Sequence, residues 1–218
     1  MHPRIKALVD LFPQGNVLVD IGSDHGHLGL ELLRSEKAIR VINIDLSADA
    51  LERSKVAYKR LGFEKRAMFL LNDGFTSLVS FPENSVVVIA GMGTVQILKI
   101  LERMPSHIKH LILLSHTDYF LIRKWAFKNF FFIKNEKYVD DGDHCYLALD
   151  LVRVPKQVHS SSIRDYIFGR EEFWRELHMD LFSKYWADKA NRVLKIPYEY
   201  RDEVERETIR FLKDNEIL

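Results

Sequence analysis

The stretch Val17-Leu18-Val19-Asp20-Ile21-Gly22-Ser23-Asp24-His25-Gly26-His27-Leu28-Gly29 runs from apolar residues through an acid and a glycine-punctuated turn into a leucine-rich segment. It predicts a buried first strand, a loop laid against a ligand, and a helix whose inner face carries Leu28, Leu30, Leu32 and Leu33. Glycine suits such a loop because it adopts positive φ and lets backbone approach a ligand closely. The spacing is not the G-x-G-x-x-G of a dinucleotide site, where pyrophosphate sits on a helix N-terminus, and Asp20 and Asp24 would repel phosphate. An acidic loop suits a cationic nucleoside that lacks phosphate. S-adenosylmethionine is one, with a sulfonium, an ammonium and ribose hydroxyls that pair with carboxylates. Taken alone, the glycines also fit an ordinary strand-to-helix turn.

Residues 39–44 form a second apolar run ending at Asp45. Asp45 falls about 20 residues beyond the glycine loop, the spacing at which an acid accepts hydrogen bonds from ribose hydroxyls. It also suits capping of the helix expected over 48–61, after Ser47, with Ala50, Leu51, Ser54, Val56, Ala57 and Leu61 facing inward. A third run, 67–71, ends at Asn72-Asp73-Gly74, where an acid can accept from an adenine amino group; the same triplet makes an ordinary turn. A fourth, 85–90, enters Gly91-Met92-Gly93-Thr94 and a helix bearing Val95, Ile97, Leu98, Ile100 and Leu101. Small residues there leave room for a substrate, or for close helix-to-strand packing. Strand 110–114 ends at Ser115-His116-Thr117-Asp118, a polar cluster at the same edge. A helix with Arg123-Lys124-Trp125 follows, then strands 130–138 and 144–152 joined through Asp140-Asp141-Gly142-Asp143. Three acids end three successive strands, at the edge where open α/β sheets bind ligands. The alternation predicts a Rossmann-like, mostly parallel seven-stranded sheet with one antiparallel strand.

In this order, Asp-Ile-Gly-Ser-Asp-His (20–25), Asn-Asp-Gly (72–74), Ala-Gly-Met-Gly (90–93), Ile-Arg-Lys-Trp (122–125) and Asp-Gly-Asp-His-Cys-Tyr (141–146) resemble the TrmK family. These are bacterial tRNA (adenine-N1)-methyltransferases that act on adenosine 22, and the resemblance covers about residues 1–153. It implies a class I methyltransferase domain over 1–154 that uses S-adenosylmethionine, a helical, coiled-coil-like domain over 155–218, and tRNA as substrate. The cofactor residues implied are Asp20, Gly22, Ser23, His27, Asp45, Leu46, Asn72, Asp73, Gly74, Ala90, Gly91, Met92 and Gly93; Asp24 and His25 take catalytic roles. Two departures stand out. Thr94 replaces a glycine of the relatives, and Ser115-His116-Thr117 replaces a Gln-Pro-Asn segment, both on the side of the target base.

On this reading the in-plane lone pair of adenine N1 attacks the sulfonium methyl directly, so catalysis is mainly orientation. Asp24 stabilises the charge developing on the base, and His25 positions the base or, as a second role left open, takes part in proton transfer. The Asn/Asp-Pro-Pro-Tyr motif of exocyclic-amine methyltransferases is absent, which disfavours N6 methylation. An adenosine in the D-arm must be extruded, at a cost of roughly a few kcal/mol.

A formal net charge of +1 lends no general support to RNA binding, which draws on Lys and Arg neutralising phosphates. Local basic clusters do: Arg34-Lys37-Arg40, Lys55-Lys59-Arg60 with Lys65-Arg66, Lys99-Arg103-Lys109-His110, and Arg123-Lys124-Lys128. The single cysteine, Cys145, forms no internal disulfide and is expected as a small buried residue; no Cys/His spacing suggests a metal. No apolar run approaches the roughly 20 residues of a membrane span, and residues 1–12 read as an amphipathic helix rather than a signal peptide. A cytoplasmic, monomeric enzyme is expected.

Past a polar linker over 155–162, a helix is expected over 163–194, with Ile167, Trp174, Leu177, Leu181 and Tyr185 on one face and Gly169 as a kink. Ile196-Pro197 breaks it, and a last helix repeats the spacing at Tyr200, Val204, Thr208, Phe211 and Leu212. The hairpin either braces the catalytic domain or clamps the elbow of tRNA. Two other functions remain open: a catalytically silent RNA- or protein-binding module on the same fold, and a methyltransferase with a non-tRNA substrate.

Overall fold

Strands β1 (Asn16–Ile21), β2 (Ala38–Asp45), β3 (Ala67–Leu71), β4 (Ser85–Met92), β5 (His110–Ser115), β6 (Phe131–Asp140) and β7 (Cys145–Arg153) form one sheet in the order β3-β2-β1-β4-β5-β7-β6. The first five are parallel, and β7 runs antiparallel to β5 and β6. Helices α1 (Pro3–Leu11), α2 (His27–Arg34), α3 (Ala48–Arg60), α4 (Thr94–Leu101) and α5 (Phe120–Lys128) accompany the strands. This computed structural model describes residues 1–76, 80–117, 119–142, 144–156, 162–173, 175 and 179–218. Asp118, Asp143, Trp174, Leu177 and most of the 155–162 linker lie outside the described residues.

Side chains alternate across a strand, so β1 divides the core. Val17, Val19 and Ile21 pack with Ile97, Ile100, Tyr119 and Ile122 on one face, while Leu18 packs with Leu8, Phe12, Leu32 and Tyr58 on the other. Helix α3 turns Ala50, Leu51, Ser54 and Tyr58 inward. Val56, expected inside, is 62% exposed, as is Val95 of α4 at 76%; the helical register places each between inward positions.

The C-terminal segment departs most from expectation. In place of one helix over 163–194 there are α6 (Ile163–Phe168), a 3-10 turn at Glu171–Phe173, and α7 (Met179–Val193), followed by α8 (Glu203–Asp214). Gly169 ends α6 at φ +76°, and a β-carbon there would collide with the Glu136 carboxylate. That carboxylate is held by Arg123, which donates to both its oxygens at 2.8 and 2.9 Å and to the carbonyls of Ile167 (2.6 Å) and Tyr166 (3.2 Å). Arg123 is therefore buried structure, not part of a basic surface as its neighbours suggest. Phe168 stacks on Phe211 and contacts Trp186, and these rings join the same core cluster as Val19 and Ile89 of the sheet. Tyr200, expected on the last helix, precedes it and is 76% exposed. Among the described residues no helix is long and apolar enough to cross a membrane.

Candidate active site

The first three strands stop in register, with Ile21 beside Ile44 and Asp45 beside Leu71. Their ends bring the glycine loop, Asp45 and Asn72-Asp73-Gly74 to one edge. The loop turns through positive φ at Gly22 (+76°), Asp24 (+46°) and Gly26 (+67°). The N–H groups of Gly22 and Ser23 donate to the Ile44 carbonyl at 2.8 and 3.1 Å, and Gly26 N–H donates to Ser23 O at 2.7 Å. A β-carbon on Gly22 would strike the end of the flexible Met92 side chain, which could move aside, so it is the positive φ that favours glycine there.

Asp45 holds this edge together. One carboxylate oxygen accepts from the Asp24 N–H at 2.8 Å and the other from the Ser47 N–H at 2.9 Å. Each oxygen keeps a second lone pair. Capping of α3 itself falls to Ser47, whose Oγ accepts from Ala50 N–H at 3.2 Å. Asn72 N–H donates to the Asp45 carbonyl at 3.0 Å, while its side chain accepts from Asp73 N–H (3.0 Å) and donates to Gly74 O (3.1 Å). The triplet is thus a turn at the end of β3, pinned to Asp45.

Two residues missed in the sequence brace the loop from below. The Tyr58 hydroxyl lies 3.2 Å from the Gly26 carbonyl and 3.3 Å from Asn43 Oδ1, and Ser54 Oγ donates to Asp24 O at 2.7 Å. Their signals were a polar Asn43 inside an apolar strand and Gly29 inside a helix, where a β-carbon would run into the Tyr58 hydroxyl.

Asp20 is buried beneath the loop. Burial first, and then the charge of Asp45, push its carboxyl pKa up to about 7. Ser23 Oγ is buried without a hydrogen-bond partner, and Gly91, at φ +78°, faces open space. Crowded acids, one orphaned hydroxyl and an open backbone fit a cationic nucleoside such as S-adenosylmethionine. Gly74 is buried, Ala90, Met92 and Gly93 are half-buried, and His27, Leu46 and Asp73 are exposed around this edge. Asp24 and His25 are also exposed, the Asp24 carboxylate 3.6 Å from His25 Nε2, with the His25 and His27 rings 5.6 Å apart.

Beyond Met92 a cleft of about 600 Å³ opens between the end of β5, the start of β7 and helices α7 and α8. Ser115 Oγ and the His116 N–H reach the Met92 carbonyl at 3.3 and 2.9 Å. The Thr94 and Ser115 hydroxyls lie 2.9 Å apart, and Thr94 N–H donates to Thr117 Oγ1 at 2.9 Å. Thr94, Ser115 and Thr117, which depart from the TrmK pattern, are therefore bonded to one another. Cys145, expected buried, is half-buried in this cleft, and burial pushes its thiol pKa up to about 11. Among the described residues, no group of three or more His, Cys, Asp or Glu side chains is placed to hold a metal.

The chain is similar to proteins named as tRNA methyltransferases. A Mycoplasma pneumoniae protein named "Putative tRNA methyltransferase" is 29% identical over 172 residues, covering 78% of this chain and 79% of its own. The tRNA (adenine(22)-N(1))-methyltransferase of Bacillus subtilis is 26% identical over 152 residues, 68% of this chain and 63% of the relative. The structure of Mycoplasma capricolum TrmK bound to S-adenosylhomocysteine superposes with a TM-score of 0.85 at 21% identity, over 98% of this chain and 97% of that one. The resemblance to TrmK carried by the motifs thus extends to the fold of nearly the whole chain. Residues 1–149 match the family described as a methyltransferase domain, and the chain belongs to that family.

Proposed function

We propose that this protein transfers a methyl group from S-adenosylmethionine to N1 of an adenosine in tRNA, adenosine 22 of the D-arm. The observation that carries the proposal is the acidic edge formed by Asp20, Asp24 and Asp45 around a positive-φ glycine loop, lying next to a cleft of nucleotide size. The Bacillus subtilis relative bears the name of this reaction.

When bound, the cofactor supplies an electrophilic methyl group. Asp45, fixed by two backbone donors, presents its remaining lone pairs to the ribose hydroxyls. Asn72 and Asp73 face the adenine end, with Leu46 beside them and Gly74 closing the turn. Asp20 and the orphaned Ser23 hydroxyl face the ammonium end, where a positive charge relieves the crowding of Asp20 and Asp45. Gly22, His27 and the segment Ala90, Gly91, Met92 and Gly93 wall the methionine portion. Neutral adenine carries no proton on N1, so methylation needs no base there; it leaves a cationic ring. Asp24 stabilises that charge in the transition state, and His25, 3.6 Å away, positions it.

The C-terminal helices contribute to tRNA binding, and the exposed Lys55, Lys59, Arg60 and Lys65 of α3 and the turn after it provide phosphate contacts. A tRNA substrate places the reaction in the cytoplasm, and the chain acts as a monomer. A catalytically silent module would have no use for three acids around one loop. The test is nucleoside mass spectrometry of tRNA incubated with the protein and labelled S-adenosylmethionine. Label in 1-methyladenosine is expected; label in another nucleoside would reassign the substrate atom, and calorimetric binding without transfer to tRNA would move the substrate outside tRNA.

A further inference from the structure

The cleft beyond Met92 has a floor of hydroxyls, aromatic walls and one unusual ring. We propose that it receives the extruded target nucleotide, and that His116, oriented by Arg4 of α1, is a positioning residue that donates a hydrogen bond to the base. This inference rests on the RNA methyltransferase reading above.

Arg4 reaches from the N-terminal helix to the carboxyl end of β5. Its Nη1 lies 3.2 Å from His116 Nε2, its Nε lies 3.3 Å from the Asp141 carboxylate, and its guanidinium sits 5.0 Å over the Tyr146 ring. A guanidinium only donates. The Nε2 atom of His116 must therefore accept, which puts the ring proton on Nδ1 and leaves the ring neutral. Tyr146 packs 5.4 Å from His116, and the His144 ring lies 6.1 Å from Tyr146, edge-on. The charged and titratable groups around the ring are Arg4 from α1, Asp141 and His144 from the β6–β7 turn. Burial and then Arg4 lower the His116 pKa, with Asp141 opposing. The result is a neutral ring lining the cleft with Nδ1–H as its remaining donor.

The rest of the lining suits the same occupant. Ser115 and Thr117 place hydroxyls at the floor, beside the Met92 carbonyl. Tyr146 brings a half-buried ring to the cleft, of the kind on which unstacked bases rest, with Arg4 over it, while Lys189 lies over the buried Tyr185 ring. Glu205 also lines the cleft, but its carboxylate is engaged by the N–H of Asp202 at the start of α8. Asp188 and Lys189 offset one another in charge. That leaves exposed Arg192 at the rim, where a flanking phosphate is the matching partner. A volume of about 600 Å³ falls within the roughly 300–1,000 Å³ of ligand sites, enough for a nucleotide and part of its neighbour.

Steady-state kinetics on full-length protein with tRNA tests the assignment. His116→Ala is expected to raise KM for tRNA about three- to tenfold, the scale of one hydrogen bond, with S-adenosylmethionine affinity unchanged. His116→Gln, which retains an N–H donor, recovers most of the loss. Arg4→Ala frees His116 to protonate, which sets a second cation beside the ring that methylation makes cationic, so at saturating S-adenosylmethionine its kcat/KM falls below about pH 6.5 where wild type stays level. Arg192→Glu raises KM and flattens the salt dependence by about one unit of slope. Wild-type KM in His116→Ala, or equal losses in His116→Ala and His116→Gln with an unchanged pH profile in Arg4→Ala, overturns the positioning role while the methyltransferase reading stands. Failure of the wild type to methylate any tRNA brings down that reading and this inference together.

Discussion

The two halves of the site are built in different ways. The cofactor edge is made of short segments, 20–27, 45–47 and 72–74, each at the end of its own strand and held by backbone hydrogen bonds within or between neighbouring strand ends. The cleft is assembled from residues as far apart as Arg4, His116, Tyr146 and Arg192, and its outer wall docks through the buried Arg123–Glu136 pair and the rings of Phe168, Phe182, Trp186 and Phe211. The first half is a property of the parallel sheet and follows wherever that sheet forms. The second depends on helices that must dock, and it can be broken without touching a cofactor residue.

The largest expected effect breaks that docking. Arg123→Ala leaves Glu136 buried and uncompensated and strips the donors from the Tyr166 and Ile167 carbonyls, so stability should fall by about 3–5 kcal/mol. The double variant Arg123→Met/Glu136→Leu removes both charges and should lose far less. Thermal or denaturant unfolding of the three proteins checks this, and equal losses in single and double variants would show that packing, not charge, holds the helices. Deleting residues 155–218 is a poor substitute, because it tears Phe168, Phe182, Trp186 and Phe211 from the core they share with the sheet.

On the cofactor side, Asp24→Asn should lower single-turnover methylation by about 10²–10³, the scale of one preorganised electrostatic group. Asn keeps the left-handed conformation that Asp24 adopts at φ +46°, so the variant removes charge without straining the loop. A wild-type rate would shift attention to Ser115 and His116. A smaller loss is expected from Asp45→Ala. Charged hydrogen bonds contribute about 1.5–3 kcal/mol each, so S-adenosylmethionine affinity should fall roughly 10- to 150-fold in calorimetry, together with the anchor for the Asp24 N–H. Unchanged affinity would leave Asp45 as a loop brace alone.

The contrast also explains what could be read from the sequence. The seven strands of a mostly parallel sheet, the glycine loop and the three strand-end acids were legible because hydrophobic period and turn chemistry are local. The brace from Tyr58 and Asn43 was hinted only by a polar Asn43 in an apolar strand and by Gly29, a glycine where a helix needs none. The Arg4–His116 contact had no signal, since 112 residues separate the partners. Gly169 was legible as a disturbance but not as an end, because the group that leaves no room for a side chain there, the Glu136 carboxylate, lies on a distant strand. Arg123 sat among lysines and read as surface. Sequence period locates a face, and only the fold says which charge that face meets.

The subtlest test separates the halves by titration. Asp20 has a folded pKa of about 7 against a reference of 3.8, raised by burial and by Asp45. The fold therefore favours its protonated form: the stabilisation is complete below pH 4, declines as pH rises, and is gone above about pH 7. A cationic ligand reverses the preference by stabilising the carboxylate, so binding near pH 6 must expel a proton. Calorimetry of S-adenosylmethionine binding in buffers of different ionisation enthalpy should show release approaching one proton at pH 6 in wild type and none in Asp20→Asn. The ligand-free Asp20→Asn protein should gain thermal stability over wild type between pH 4 and 7 and hold that gain above it. His116 variants should leave the proton count untouched, because their ring faces the cleft and not the cofactor edge. Equal proton release in wild type and Asp20→Asn would place the buried acid outside the site and leave Asp45 and Ser23 to hold the cation.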